Sequence, residues 1–259
     1  VHGMAASGDF GSVERRGALN VARAAKAAGV RRIVYLGGLH PDVPLAELSP
    51  HLRSRAEVGN ILLESGVPTA ALQAGTVIGS GSASFEMIRH LTEVLPYMPA
   101  PKWVRNFIQP IAVRDVLHYL AEAATLPPEV NRTFDIGGPD VYRYGQLMNG
   151  YALEAGLRQR PIASLPVLTP WLASQWVNLV TPIPRQLAVP IIASLQYDCV
   201  ASEHDIAEWI PDPEGGLTGY RRSARPRPWR SASSSDPEWS GHTVYTDLRV
   251  QHSDASVKQ

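Results

Sequence analysis

A chain of 259 residues can hold one large domain or one and a half of ordinary size. Its 24 basic residues balance its 24 acidic residues, so the charge indicates neither a nucleic acid nor an anionic membrane surface as a partner. The single cysteine, Cys199, cannot form an internal disulfide, and residues 1–10 lack the basic and apolar regions of a signal peptide. We therefore expect a globular, cytoplasmic protein.

The first predicted element is an alanine-rich helix over residues 13–28. Ser12 is a suitable N-cap, and Gly29 follows the last turn, where a glycine in the left-handed conformation is common. The residues predicted to form its apolar face, which would pack on a sheet, are Leu19, Val21, Ala22 and Ala25.

A strand, a glycine pair, a helix and a second strand are predicted next. Residues 33–36 are β-branched, aromatic or leucine, a pattern typical of a strand buried on both faces. The Gly37-Gly38 pair allows close approach of the backbone at the carboxyl end of that strand, where open α/β sheets bind ligands. Ser49-Pro50 predicts the start of the helix, and residues 69–73 predict the second strand. This order is a βαβ unit.

Similar signals predict the later elements. Residues 79–84 are typical of a flexible loop, and residues 85–95 of an amphipathic helix. Asp115 is predicted to be the N-cap of a helix over residues 115–124, at the positive end of the helix dipole. Residues 132–136 predict the last strand of the sheet.

Three segments resemble the nucleotide-binding core of the short-chain dehydrogenase/reductase superfamily, in its extended and atypical branches, which include NmrA-like and epimerase-like proteins. The segments are Tyr35-Leu36-Gly37-Gly38, His51-Leu52-Arg53-Ser54-Arg55 and Gln73-Ala74-Gly75-Thr76-Val77-Ile78-Gly79. The resemblance covers about residues 1–140. It implies an α/β fold whose Rossmann-like parallel sheet lacks its first strands in this sequence, followed by an α-rich C-terminal lobe.

The resemblance also implies NAD(P) as the cofactor. A dinucleotide fold usually opens with a strand and a glycine-rich turn that holds the pyrophosphate, and no such motif occurs in this sequence. Residues 1–4 instead resemble the end of the fourth strand of the family, so we expect a fragment that begins inside the fold. The residues expected to bind the cofactor are His2, Gly3, Met4, Leu36, Gly37, Gly38, Arg55, Gly75, Thr76 and Val77.

The catalytic residues of the family are only partly matched. Family members use a hydroxyl at a strand end with a Tyr and a Lys four residues apart on a helix. Here His51 and Arg55 have that spacing, and Gly37-Gly38 occupies the place of the hydroxyl. Histidine can act as an acid or base near neutral pH, whereas arginine stays charged and could hold ribose hydroxyls.

Two functions therefore stay open. One is NAD(P) binding without the usual Ser/Tyr/Lys chemistry, either in an oxidoreductase-related protein or in a non-enzymatic sensing module. The other is a divergent reductase or epimerase that uses His51. The serines of residues 80–84 form no Gly-x-Ser-x-Gly elbow after a strand, and the scattered histidines predict no metal site. The substrate and the oligomeric state are left open.

Four segments are predicted along the chain. Residues 1–140 form the C-terminal half of the NAD(P)-binding domain, and residues 141–220 form the α-rich lobe on the substrate side. Residues 221–240 are a basic, proline- and serine-rich linker. Residues 241–259 resemble the start of a truncated polyketide-cyclase-like domain, which follows this Rossmann type in some bacterial proteins.

An uncharged run over residues 162–184 raises the question of a membrane. A spanning helix needs about 20 mostly apolar residues, but four prolines interrupt this run. We expect short helices around Trp171 and Trp176 that pack on the core. The alternatives are an apolar pocket or interface and, with less support, a membrane-facing surface.

Overall fold

A computed structural model describes residues 10–41, 43–164 and 185–225, which all belong to one unit, Val1–Arg225. The helices are α1 (Phe10–Ala27), α2 (Pro50–Leu63), α3 (Ala83–Val94), α4 (Val113–Ala123), α5 (Tyr144–Glu154), α6 (Arg185–Ser194) and α7 (Tyr220–Ala224). The strands are β1 (Ile33–Gly38), β2 (Thr69–Ala74), β3 (Val77–Ile78), β4 (Met98–Ala100), β5 (Phe107–Ile108), β6 (Ile111–Ala112), β7 (Arg132–Ile136), β8 (Tyr142–Arg143) and β9 (Ile162–Ser164). Short 3₁₀ turns span Leu45–Glu47, Lys102–Arg105 and Asp205–Glu208.

Some predictions fall outside the described residues. They concern the cofactor residues His2, Gly3 and Met4, the helices around Trp171 and Trp176, and the chain from residue 226 onward. Within the part that is described, no helix combines the length and the apolar run needed to cross a membrane.

The central sheet has the strand order β1-β2-β7, and all three strands are parallel. Gly37 pairs with Gln73 and Gln73 with Asp135, so the carboxyl ends of the three strands are aligned. Helix α2 connects β1 to β2 and begins as predicted, because the Ser49 hydroxyl accepts a hydrogen bond from the Leu52 amide at 3.3 Å. The predicted βαβ unit and the α/β fold class are confirmed.

The burial of β1 differs from the prediction. Residues 33–36 are only partly buried, whereas Ala70 and Leu72 of β2 are completely buried. Among the described strands, β1 pairs with β2 alone and lies at the edge of the sheet, while β2 has a partner on each side. One face of the sheet packs on α4 through Val116. The position of a strand in the sheet decides how deeply its residues are buried, and the composition of β1 does not reveal that position.

Helix α1 packs on α2 rather than on the sheet, and the predicted apolar face is partly wrong. Leu19 and Val21 are 36% and 44% exposed. The buried line is Glu14, Ala18, Ala22 and Ala25. The Ser54 hydroxyl of α2 donates a hydrogen bond of 2.5 Å to the Glu14 carboxylate. The helix also begins by Phe10, so Ser12 lies inside it and is not the N-cap.

The first residue of two further helices was predicted incorrectly. Helix α3 begins at Ala83, because the Ser82 hydroxyl accepts a hydrogen bond from the Phe85 amide at 3.4 Å, so the loop before it is shorter than predicted. Helix α4 begins at Val113, and Asp115 lies in its first turn instead of at the N-cap. Its buried carboxylate accepts hydrogen bonds from the Thr218 amide at 2.6 Å and from the Thr218 hydroxyl at 3.2 Å. Asp115 therefore holds a distant segment of the chain.

A second apolar core joins α3, α5 and α6. It contains Phe85 of α3, Leu147 and Tyr151 of α5, and Ile192 of α6. The rings of Phe85 and Tyr151 meet edge to face, with centroids 5.9 Å apart. This core lies beside the carboxyl ends of the central strands and forms one wall of the cleft described next.

Candidate functional site

A cleft of about 500 Å³ lies at the carboxyl ends of β1 and β2. Gly37 and Gly38 line it from β1, Gly75 lines it just after β2, and His51 and Arg55 line it from α2. This is the edge at which parallel α/β sheets bind their ligands, because the connecting loops diverge there and leave a crevice.

All the described residues that were predicted to form a site line this one cleft. They are Leu36, Gly37, Gly38, His51, Arg55, Gly75, Thr76 and Val77. They lie at the end of β1, in the segment that follows β2, and on helix α2. Up to about forty positions separate them in the chain, and the parallel pairing of β1 with β2 brings them together. Their roles in binding or catalysis stay predictions.

Two of the glycines occupy positions where an added side chain would be crowded. A Cβ at Gly75 would lie 2.8 Å from the Gln109 carbonyl oxygen, and a Cβ at Gly37 would lie 3.0 Å from Cε1 of Tyr35. A larger residue at position 37 would thus require the Tyr35 ring to move by a few tenths of an ångström. At Gly38 an added Cβ would make only ordinary contacts, the nearest at 3.5 Å. Gly37, Gly38 and Gly75 consequently present only backbone at this end of the cleft.

Arg55 lies between this cleft and a second, smaller cavity. The second cavity has a volume of about 240 Å³ and is lined by Tyr35, His40, Gln73 and Arg55, among others. The Tyr35 hydroxyl donates a hydrogen bond to the Arg55 carbonyl oxygen at 3.2 Å. Burial raises the pKa of Tyr35, and the Arg55 guanidinium opposes part of that rise. Tyr35 thus ties β1 to the backbone of α2 at the position of Arg55.

His51 lies one helical turn before Arg55 on α2, and both residues are partly buried at the wall of the cleft. Side chains four residues apart on a helix are neighbours on one face. The structure thereby brings the two predicted residues together. An imidazole and a guanidinium at this spacing can supply a proton donor or acceptor and a fixed positive charge.

The cleft is also lined by residues that the sequence analysis did not select. Tyr144, at the start of α5, is buried, and burial raises its pKa well above the usual value, although a hydrogen bond with the Thr76 side chain opposes that rise. The Cys199 sulfur lies 3.6 Å from the Leu39 carbonyl oxygen, and burial raises the pKa of the thiol to about 12. At neutral pH this cysteine is therefore a protonated thiol and a poor nucleophile.

Neither a hydrolase site nor a metal site is supported by the described residues. The Ser82 hydroxyl caps α3, and Ser84 lies inside that helix instead of in a strand-to-helix elbow. In the part of the chain that the structure covers, no three His, Cys, Asp or Glu side chains are grouped so that they could hold a metal ion.

Comparison with known proteins identifies the fold. No family model matches the chain, and no curated protein matches it in sequence. Triphenylmethane reductase of Citrobacter sp. matches with a TM-score of 0.60 at 16% identity, over 83% of this chain and 70% of that one. An NADPH-dependent quinone oxidoreductase of Escherichia coli matches with a TM-score of 0.61 at 19% identity, over 80% and 71%.

A nucleoside-diphosphate-sugar epimerase of Staphylococcus aureus also matches, with a TM-score of 0.55 at 13% identity, over 81% of this chain and 70% of that one. The chain has the Rossmann-like fold of these reductases and epimerases. The Rossmann-like α/β fold inferred from the sequence is therefore confirmed. The Citrobacter reductase has also been solved in complex with NADP(H).

Proposed function

We propose that this protein binds NAD(P), with the nicotinamide end of the cofactor in the cleft at the ends of β1 and β2. One observation carries the proposal: every described residue expected from the superfamily pattern lines that cleft. The strand ends Gly37 and Gly75 let a planar ring approach the backbone, and Arg55 supplies donors for ribose hydroxyls. When bound, the nicotinamide donates or accepts a hydride.

The contacts that hold a pyrophosphate are not expected from this chain. They usually come from a glycine-rich turn at the start of a helix, and no such turn occurs in the 259 residues. We therefore expect the chain alone to bind NADPH weakly, through the nicotinamide half.

Two forms of this function differ in whether the cofactor turns over. The hydroxyl of the usual Ser/Tyr/Lys set is missing at position 37, where glycine stands. This observation favours an oxidoreductase-related or sensing protein without the usual catalytic residues. The position of His51 in the cleft favours the second form, a divergent reductase or epimerase in which the imidazole donates the proton. Substrate-dependent change in the nicotinamide absorbance separates the two.

The binding proposal is tested by a pair of arginine substitutions on α2. Arg55→Ala should weaken NADPH binding by about tenfold or more, because one or two charge-assisted hydrogen bonds, each contributing about 1.5–3 kcal/mol, are lost. Arg53→Ala is the matched control, since Arg53 lines a different cavity with Arg15 and Glu57. Binding can be followed by ligand-detected NMR titration, which measures weak affinities. Equal affinities of the two variants would contradict the proposal.

A further inference from the structure

The ring of Tyr35 lies in a slot between two glycines. Gly37 follows two positions later on β1, and Gly59 lies on α2. A Cβ at Gly37 would lie 3.0 Å from Cε1 of Tyr35, and a Cβ at Gly59 would lie 3.7 Å from the same atom. Side chains two positions apart on a strand point to the same face of the sheet. The two glycines therefore leave the tyrosine ring its place between β1 and α2.

The hydroxyl at the end of this ring contacts Arg55 in two ways. It donates a hydrogen bond of 3.2 Å to the Arg55 carbonyl oxygen. Burial raises the pKa of Tyr35, and the positive charge of the Arg55 guanidinium and a hydrogen bond between the two side chains oppose that rise. A phenol has one proton to donate and lone pairs that accept. The Tyr35 hydroxyl can thus hold the backbone and the side chain of the same arginine at once.

The position of Arg55 makes such a contact consequential, because open space lies on two sides of it. Arg55 lines the cleft of about 500 Å³ and also the second cavity of about 240 Å³. Its long side chain has many rotamers, so the guanidinium can turn into either space. The second cavity is lined by Asn60 and Gln73, whose amide oxygens can accept a hydrogen bond from it. In the structure Arg55 lines the cleft while it contacts Tyr35, so the contact favours this placement.

We propose that Tyr35 is a positioning residue, whose hydroxyl keeps the Arg55 guanidinium at the cleft and ready for the ribose hydroxyls of the cofactor. The proposal rests on the proposed function, because it takes NAD(P) as the ligand that Arg55 contacts. It also gives a reason for glycine at position 37, where the superfamily pattern has a hydroxyl. A side chain there would require the Tyr35 ring to move, and the contact with Arg55 would change with it.

Tyr35→Phe tests the proposal, because it removes the hydroxyl and keeps the ring. The dissociation constant of NADPH should rise about two- to tenfold, the effect of one lost hydrogen bond. Ligand-detected NMR titration measures this affinity. Tyr97→Phe is the matched control, since Tyr97 is 51% exposed and lines neither the cleft nor the second cavity. Urea unfolding of both variants identifies the conditions under which they are folded.

A double variant separates positioning from a general loosening of the fold. If Tyr35 acts through Arg55, Tyr35→Phe should have no further effect on NADPH affinity in a chain that already carries Arg55→Ala. A loosened fold would instead weaken binding by the same factor whether or not the arginine is present. The non-additivity of the two substitutions is therefore the result expected of a positioning residue.

The contact itself can be observed without any cofactor. The Nε–H resonance of Arg55 in the free chain is assigned by its loss in Arg55→Ala. It should shift in Tyr35→Phe, because the guanidinium loses its phenol partner, and it should keep its position in Tyr97→Phe. This measurement does not depend on whether NADPH binds.

Three results would overturn the proposal. They are an unchanged NADPH affinity of Tyr35→Phe, a strict addition of the two losses in the double variant, and tighter binding by Tyr35→Phe. Tighter binding would show that the hydroxyl holds the guanidinium away from the cleft. A failure of the unaltered chain to bind NADPH would instead refute the proposed function. In that case the Arg55 resonance still decides whether Tyr35 positions the guanidinium, and a resonance that does not respond to Tyr35→Phe would exclude it.

Discussion

At the scale of single residues, His51 and Arg55 have different chemical capacities. A guanidinium such as that of Arg55 can bind through several donors, but it is a poor proton relay. An imidazole such as that of His51 can act as an acid or a base and contributes less to anchoring. Both residues line the cleft from one face of α2. Because their chemical capacities differ, substitutions at the two positions should have separable effects.

His51→Ala should leave NADPH affinity within about twofold, because no permanently charged hydrogen bond is lost. If the protein is a reductase, the same substitution should lower NADPH oxidation with an apolar ketone by roughly 10²–10⁴-fold, the usual contribution of a general acid. His204→Ala, at an exposed histidine, is the control. Turnover that survives His51→Ala unchanged would exclude the imidazole as the proton donor.

Sequence reasoning identified part of the cleft lining and missed the rest. His51 and Arg55 could be predicted because a helix places positions four apart on one face. The strand-end glycines could be predicted because parallel strands expose their carboxyl ends together. Tyr144 and Cys199 come from elements much further along the chain, and no local pattern links them to Gly75. Only the tertiary fold places the Cys199 sulfur 3.6 Å from the position of a Cβ on that glycine.

At the scale of elements, α4 anchors the segment that follows α6. Asp115 contacts Thr218, and the Tyr119 hydroxyl donates a hydrogen bond to the Asp212 carboxylate at 3.1 Å. The Arg114 guanidinium donates to the Glu214 carbonyl oxygen at 2.9 Å. The segment is therefore held along α4 by polar contacts, made by the buried residues Asp115 and Tyr119 and by the exposed Arg114.

Asp115→Ala should lower the free energy of unfolding by about 1–3 kcal/mol, because the Thr218 amide and hydroxyl then lose their acceptor. Thr218→Val should cost about 1 kcal/mol, and the double variant should cost less than the sum of the two, since the residues share an interaction. Urea unfolding measures all three variants. Glu122→Gln, at an exposed position on α4, is the control and should change stability little. Strict additivity would show that the two side chains do not interact.

Whether a segment forms a helix or a strand was easier to predict than which part of the molecule it packs against. The Gly29 C-cap is confirmed by a φ of 63°, because only glycine adopts this conformation without strain. The face of α1 was mispredicted because side-chain hydrophobicity alone favoured Leu19 and Val21. In the structure the partner is α2, and small alanines with a buried Glu14–Ser54 hydrogen bond allow closer packing. A sequence pattern does not identify the surface that a helix meets.

At the scale of the whole molecule, the cleft lies where the parallel sheet meets the apolar core of α3, α5 and α6. The sheet side offers glycine backbone, His51 and Arg55, and the other side offers aromatic and aliphatic side chains. This division suits a polar cofactor on the sheet side of the cleft. The central claim is that the nicotinamide half of NAD(P) binds on the sheet side.

Saturation-transfer NMR of NADPH with the 259-residue chain tests this claim most directly. Protein methyl groups are irradiated, and the saturation that reaches the nicotinamide protons is compared with the saturation that reaches the adenine protons. The account predicts stronger saturation of the nicotinamide, a large reduction with Arg55→Ala and none with Arg53→Ala. Stronger saturation of the adenine, or equal effects of the two arginine substitutions, would contradict it.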